Sequence, residues 1–348
     1  MPKRGRTAVG IVAATLLTLT ACSSSPTPSG QPGPAVEVIA EGLDAPWSIA
    51  FHEGTALVSE RDSARVLELG ADGSTREVAR IDGVQPNGEG GLLGLAVHDG
   101  ELYTYFTAED ENRIERRPII GDPGSLDLGS PRSVFDGIPA AGNHNGGRIA
   151  FGPDGMLYVT TGDAGDRDAA QDAEALAGKI LRLTPDGAVP EDNPTAGSPV
   201  YTSGHRNPQG IAWDAAGTMY ATEFGQNTWD EVNVIEPGGN YGWPIVEGIA
   251  DDGDHIDPVQ QWSPADASPS GMTVSGGDLV IANLRGQRLR IVPLDDPATA
   301  SEWYVGEFGR LRDAVVAPDG SLWMLTNNTD GRGDPAAEDD RILRIDRD

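Results

Sequence analysis

The chain alternates short apolar runs with polar turns ending in glycine, and one such unit is written six times. The turns close on Gly54, Gly100, Gly155, Gly217, Gly277 and Gly320, and each leads straight into an apolar stretch of strand length. The first copy reads Gly54-Thr55-Ala56-Leu57-Val58, with an arginine-bearing second strand, Arg65-Val66-Leu67-Glu68-Leu69. The third runs from Gly155 through Met156-Leu157-Tyr158-Val159 to a second strand at Lys179-Ile180-Leu181-Arg182-Leu183. Successive glycines stand 46, 55, 62, 60 and 43 residues apart. A repeat of that length built from short strands marks a propeller blade, with insertions enlarging individual loops. Six copies predict an all-β, six-bladed β-propeller. The ring must close, because a lone blade leaves both faces and its edges bare. Only residues 169–176 read as helical, and a sandwich would not align six such units.

The first 35 residues stand outside this pattern. Residues 1–21 read as an export signal: Lys3, Arg4 and Arg6 precede an apolar stretch, Ala8 to Leu19, too short to span a bilayer comfortably. Leu19-Thr20-Ala21-Cys22 resembles the lipobox of bacterial lipoproteins, in which the cysteine is lipidated. Residues 22–35 then form a Ser/Pro/Gly tether, and residues 36–348 the propeller domain. The expected location is the outer face of the cytoplasmic membrane, held through Cys22 alone. Cys22 is the single cysteine, which excludes an internal disulfide or a thiolate metal cluster. A formal charge of −29 excludes a nucleic-acid partner, since nothing would neutralise phosphates along an extended face.

Chemistry concentrates in the loops between strands. His144 lies on a Gly/Asn-rich loop with little apolar cover, and Asp163 ends the strand that follows, so a base and a carboxylate partner flank one turn-and-strand unit. Arg148, Arg206, Arg285, Arg310 and Arg312 account for 5 of only 25 basic residues, and all fall in loops that a closed ring would gather at one end. Gathered guanidinium groups repel unless an anion with several carboxylates or phosphates lies between them. From Glu223 to Glu231 the chain is rich in carboxylates and carbonyls on a Gly-containing loop, and an acidic run, Asp251-Asp252-Gly253-Asp254, follows. Oxygen donors without His or Cys point to calcium.

The motifs together resemble the soluble PQQ-dependent aldose sugar dehydrogenases of the glucose/sorbosone dehydrogenase family, over roughly residues 36 to 346. They are Pro46-Trp47-Ser48-Ile49-Ala50, Gly90-Gly91-Leu92-Leu93-Gly94, His144-Asn145-Gly146-Gly147-Arg148 and Gly204-His205-Arg206-Asn207-Pro208-Gln209-Gly210. Asp230-Glu231-Val232-Asn233, Gly239-Asn240-Tyr241-Gly242-Trp243-Pro244 and Arg310-Leu311-Arg312-Asp313 follow in order. The resemblance implies a quinoprotein that oxidises an aldose at C1 to a lactone, passing hydride to PQQ and electrons to an external acceptor. It implies His144 as general base, Asp163 as its orienting carboxylate and Arg206 as stabiliser of developing negative charge. Asn207, Arg285, Arg310 and Arg312 would hold the cofactor, with Glu89 near substrate or cofactor. The carbonyls of Gly225 and Gln226 would ligate Ca2+, and Glu231, Tyr241 and Asp251 fall where a second calcium can lie. Three positions depart from the family pattern: Gln226 stands where proline is common, Arg285 where some members have lysine, and Glu89 where some have an amide. Short inter-blade loops suggest a monomer of broad specificity. Two rival readings remain, a calcium-dependent lactonase-like hydrolase and a non-catalytic glycan-binding propeller.

Overall fold

A computed structural model describes residues 1, 2, 5 and 33–346. The expected signal segment, the lipidation site at Cys22 and most of the tether lie outside the described residues. From residue 36 on, the chain forms six antiparallel sheets, each entered by its innermost strand. The inner strands are Pro46–His52, Leu92–His98, Ile149–Phe151, Pro208–Trp213, Pro269–Ser275 and Leu311–Val316. Each contacts the inner strand of the next blade, and the sixth contacts the first, so the ring is closed. The six-bladed β-propeller read from the repeat is the fold observed.

The repeat glycines mark the hairpin between the first and second strands of each blade, not the start of the blade. Each copy therefore begins one strand into its blade. Glu53-Gly54 and Asp99-Gly100 both have positive φ at each residue, the geometry of tight hairpins whose twist matches that of the strands. The closing strand lay outside the repeat: Val36–Ala40 pairs with Ile342–Ile345 and completes blade six from the other end of the chain. In place of the expected helix at 169–176 stands one short 3-10 turn, Arg167–Gln171.

Both faces of each blade are buried, which is why the strands are apolar runs rather than clean alternations. Successive side chains point to opposite faces, so each strand serves two interfaces. Leu57 packs toward blade two with Leu92, Leu102 and Phe106, while its neighbours Ala56 and Val58 pack toward blade six with Leu325 and Ile342. Six such apolar clusters, one between each pair of neighbouring blades, make up the core. The axis is left for polar side chains.

Candidate active site

The inner strands all start at the same end of the axis. Two sets of loops meet there, those entering the first strands and those leaving the second strands. Between them lies a cavity of about 340 Å³ lined by Trp47, Glu89, Gln209, Phe224, Ser268 and Leu284 together with Arg61, Arg285, Arg310, Arg312 and Arg332. Five guanidinium groups thus face one carboxylate. Beneath them the buried Asp330 accepts from Arg310 Nη2 at 2.9 Å and lies 3.9 Å from Arg312. Burial alone would raise its pKa, but Arg310 and Arg312 hold the carboxyl below its ordinary value. Arg312 also donates to Gln209 Oε1 and to Asn327 Oδ1, both at 2.9 Å. Burial pushes this guanidinium down to about 9. Arg285 is exposed and forms no ion pair among the described residues. The cavity keeps excess positive charge.

Arg148 departs from the expected cluster. Its side chain is buried a layer deeper in the axis, where Nη1 pairs with Asp313 at 2.9 Å and Nε donates to the Gln209 carbonyl at 3.0 Å. It does not line the cavity. An arginine at the head of an inner strand points into the channel, and Asp313 from blade six reaches it there first.

His144 and Asp163 meet, as their positions in the repeat suggested. His144 Nδ1 lies 2.7 Å from Asp163 Oδ1, and no protein group bonds Nε2 among the described residues. Asp163 is fully buried, with Oδ1 also accepting from Gly165 N at 2.8 Å and Oδ2 from Trp243 Nε1 at 2.9 Å. Burial would raise its pKa, but these hydrogen bonds, that from His144 foremost, hold it low. The histidine backbone is left-handed, with φ 56°, a conformation that costs a non-glycine residue roughly 1–2 kcal/mol. Neighbouring groups hold it there. Glu89 Oε2 accepts from His144 N at 3.0 Å, and Ala164 N donates to the His144 carbonyl at 3.1 Å. A Cβ on Gly162 would lie 1.9 Å from that carbonyl oxygen, so only glycine allows the two loops to approach.

Arg206 lies beside this pair. Its Cζ is 5.5 Å from the Trp243 ring centroid, its carbonyl accepts from Asp163 N at 2.8 Å, and its Nη1 donates to the carbonyls of Phe224 and Gly225 at 3.0 and 2.6 Å. Burial lowers its pKa despite Asp163 and Glu223 nearby. His144 and Arg206 are not part of the cavity wall. They join it through Glu89 and Phe224.

A family model for Glucose / Sorbosone dehydrogenase matches residues 43–343. The chain belongs to the glucose/sorbosone dehydrogenase family. Among solved structures it is similar to the PQQ-bound form of aldose sugar dehydrogenase from Streptomyces coelicolor, with 47% identity and a TM-score of 0.86, over 91% of this chain and 99% of that one. Among characterised relatives it is 30% identical to an aldose sugar dehydrogenase of Escherichia coli, over 85% of this chain and 91% of the other. It is 31% identical to quinoprotein glucose dehydrogenase B of Acinetobacter calcoaceticus, over 62% of this chain and 53% of that protein.

For this family member the structure brings together Glu89, His144, Asp163 and Arg206, and places Arg285, Arg310 and Arg312 around the cavity. Asn207 is buried beneath the His144 loop, accepting from Gly146 N at 3.0 Å. The expected calcium ligands are dispersed among other partners. The Gly225 carbonyl is taken by Arg206, and Gln226 N donates to Glu247 at 2.8 Å. Glu231 accepts from Gly248 N at 2.6 Å, Tyr241 donates to the Val234 carbonyl at 2.7 Å, and Asp251 is exposed. Among the described residues no hydrogen bond or ion pair joins these three, and no group of three or more His, Cys, Asp or Glu is arranged to hold a metal. Arg61, Gln209, Asp330 and Arg332 were missed as site residues. Arg61 and the Asp330–Arg332 turn occupy loops equivalent to those of Asp163 and Arg285, each following the second strand of its blade. Extending that rule to blades one and six would have found them.

Proposed function

We propose that this protein is a quinoprotein oxidoreductase that oxidises aldose sugars at the C1 hydroxyl to lactones, with PQQ as its bound acceptor and His144 as general base. The observation that carries this reading is the 2.7 Å His144–Asp163 pair beside a cavity walled by five arginines. The residues present suit PQQ, a planar tricarboxylate. The cavity has the size of a small-molecule site, its charge is positive, and Arg206 Nε, Asn207 Nδ2 and Arg310 Nε are buried donors with no partner in the protein. Arg285, Arg310 and Arg312 would hold the carboxylates, with Asn207 supporting the loop above. When bound there, PQQ supplies a two-electron acceptor that can take a hydride from C1.

The protein's own part is proton handling and charge. His144 Nε2, free of protein partners, takes the proton of the C1 hydroxyl. Asp163 fixes the tautomer that leaves Nε2 as acceptor and stabilises the imidazolium formed. Trp243 holds the second carboxylate oxygen, so Asp163 cannot turn away. Arg206, half-buried, supplies a fixed cation where negative charge develops. With the C1 hydroxyl proton taken by His144, C1 is set up to give its hydride to the quinone the site would hold, which would leave the lactone.

Calcium suits this arrangement less well. The Gly225 carbonyl faces a guanidinium, and a cation there would have to displace it. No step is derived through calcium. An external acceptor, export, anchoring through Cys22 and a monomeric state complete the proposal on the strength of the sequence motifs and loop lengths. Reconstituting the apo-protein with PQQ should give dye-linked oxidation across a panel of aldoses. Silence across the panel, with PQQ bound, contradicts the proposal.

A further inference from the structure

Glu89 has two carboxylate oxygens with different partners. Oε2 accepts the backbone N–H of His144 at 3.0 Å, and Oε1 lies 3.3 Å from Arg332 Nη2 at the cavity rim. We propose that Arg332 is a positioning residue for His144, fixing Glu89 so that its other oxygen holds the left-handed backbone of the catalytic base. This rests on the reading of His144 as the base.

Three features support it. The Glu89 loop is docked onto the His144 loop in both directions, since Glu89 N donates to the Gly142 carbonyl at 3.0 Å. A side chain on Gly88 would strike that same carbonyl, so the loop is shaped for close approach. Arg332 is itself anchored: its backbone N donates to Asp330 Oδ1 at 2.9 Å, and the other oxygen of Asp330 holds Arg310. One turn, 330–332, therefore grips a cavity arginine on one side and the catalytic loop on the other. Glu89 also stands in the field of two other cations, Arg61 and Arg206. With Arg332 removed, those cations draw the carboxylate inward, and the His144 N–H loses its acceptor. Arg332 is exposed, so its removal leaves the core intact.

Two measurements test this. In the apo-protein, amide hydrogen exchange at His144 should quicken about tenfold in Arg332→Ala, the scale of one weakened charge-assisted hydrogen bond, and largely recover in Arg332→Lys. Exchange at His144 unchanged in Arg332→Ala overturns the proposal, whatever the protein is found to oxidise. In the enzyme saturated with PQQ, Arg332→Ala should lower kcat without moving KM for the sugar, and the loss should vanish in a Glu89→Ala background. A loss that appears in KM, or persists without Glu89, shows that Arg332 acts on the sugar directly and overturns it. A protein with no sugar oxidation at all fails the proposed function, while the exchange result still decides the role of Arg332.

Discussion

The two ends of the axial channel are built from the same six strands, yet their charge differs. The end at which the strands begin carries the arginine-walled cavity. The end at which they finish opens as a hollow of about 310 Å³ with several apolar side chains in its lining, among them Ile49, Phe51, Phe151, Ile211, Met272 and Val315. Arg148 and Asp313 also line this hollow, paired with each other. Arg148 and Arg312 are both buried arginines on this axis, yet one is matched by its own carboxylate and the other shares Asp330 with Arg310. A matched buried pair is scaffold. Cations that outnumber their acids are a receptor for anions.

This comparison can be broken by mutation. The largest effect is expected at the receptor end: His144→Ala should lower kcat about 10²–10⁴-fold, the span of general base catalysis, while PQQ still binds by absorbance titration. Arg148→Met comes next. It leaves Asp313 buried and unpaired, and should destabilise the fold by about 3–5 kcal/mol in chemical denaturation without changing PQQ affinity in the folded protein. Arg310→Ala should do the reverse, weakening PQQ binding roughly tenfold or more as one charge-assisted contact is lost, with a smaller cost in stability. If Arg148→Met weakens the cofactor as much as Arg310→Ala does, the distinction between scaffold and receptor fails.

The smallest effect is a dependence on pH in blade four. Burial, reinforced by the charge of Glu223, pushes Glu231 up to about 8 from its ordinary 4.5. A raised carboxyl favours folding in its neutral form, so its contribution is complete below the ordinary value and is lost as pH rises toward 8. Glu231→Gln should therefore flatten the fall in stability between pH 5 and pH 8. An unchanged slope would show that Glu231 is ionised in the folded protein.

The blade count was legible because each hairpin needs a residue that tolerates positive φ, and glycine supplies it at a regular interval. That the ring closes was expected, but the strand that closes it was not legible, because Val36–Ala40 finds its partner about 300 residues away and nothing local marks an edge strand. His144 and Asp163 were legible because they flank one hairpin, whose antiparallel strands Ile149–Phe151 and Leu157–Thr161 return the chain to the same end of the axis. Asp330 was invisible for the opposite reason. Its importance lies in meeting Arg310 and Arg312 across a turn, and a lone aspartate before glycine looks like any other loop. The Arg148–Asp313 pair joins blades three and six across the axis, which no spacing along the chain encodes. The calcium reading rested on oxygen-rich, acidic loops and on the family resemblance, and neither says which way carbonyls and carboxylates point in this chain.

The proposed oxidation turns on proton abstraction by His144 beside a bound quinone. The most direct measurement is an anaerobic absorbance spectrum of the PQQ-loaded protein before and after one addition of aldose, run for the wild type and for His144→Ala, with and without Ca2+. The account predicts cofactor reduction in the wild type within the mixing time, and none on that timescale in the variant. Equal reduction in both proteins, or an unchanged spectrum in the wild type with every aldose, would contradict it.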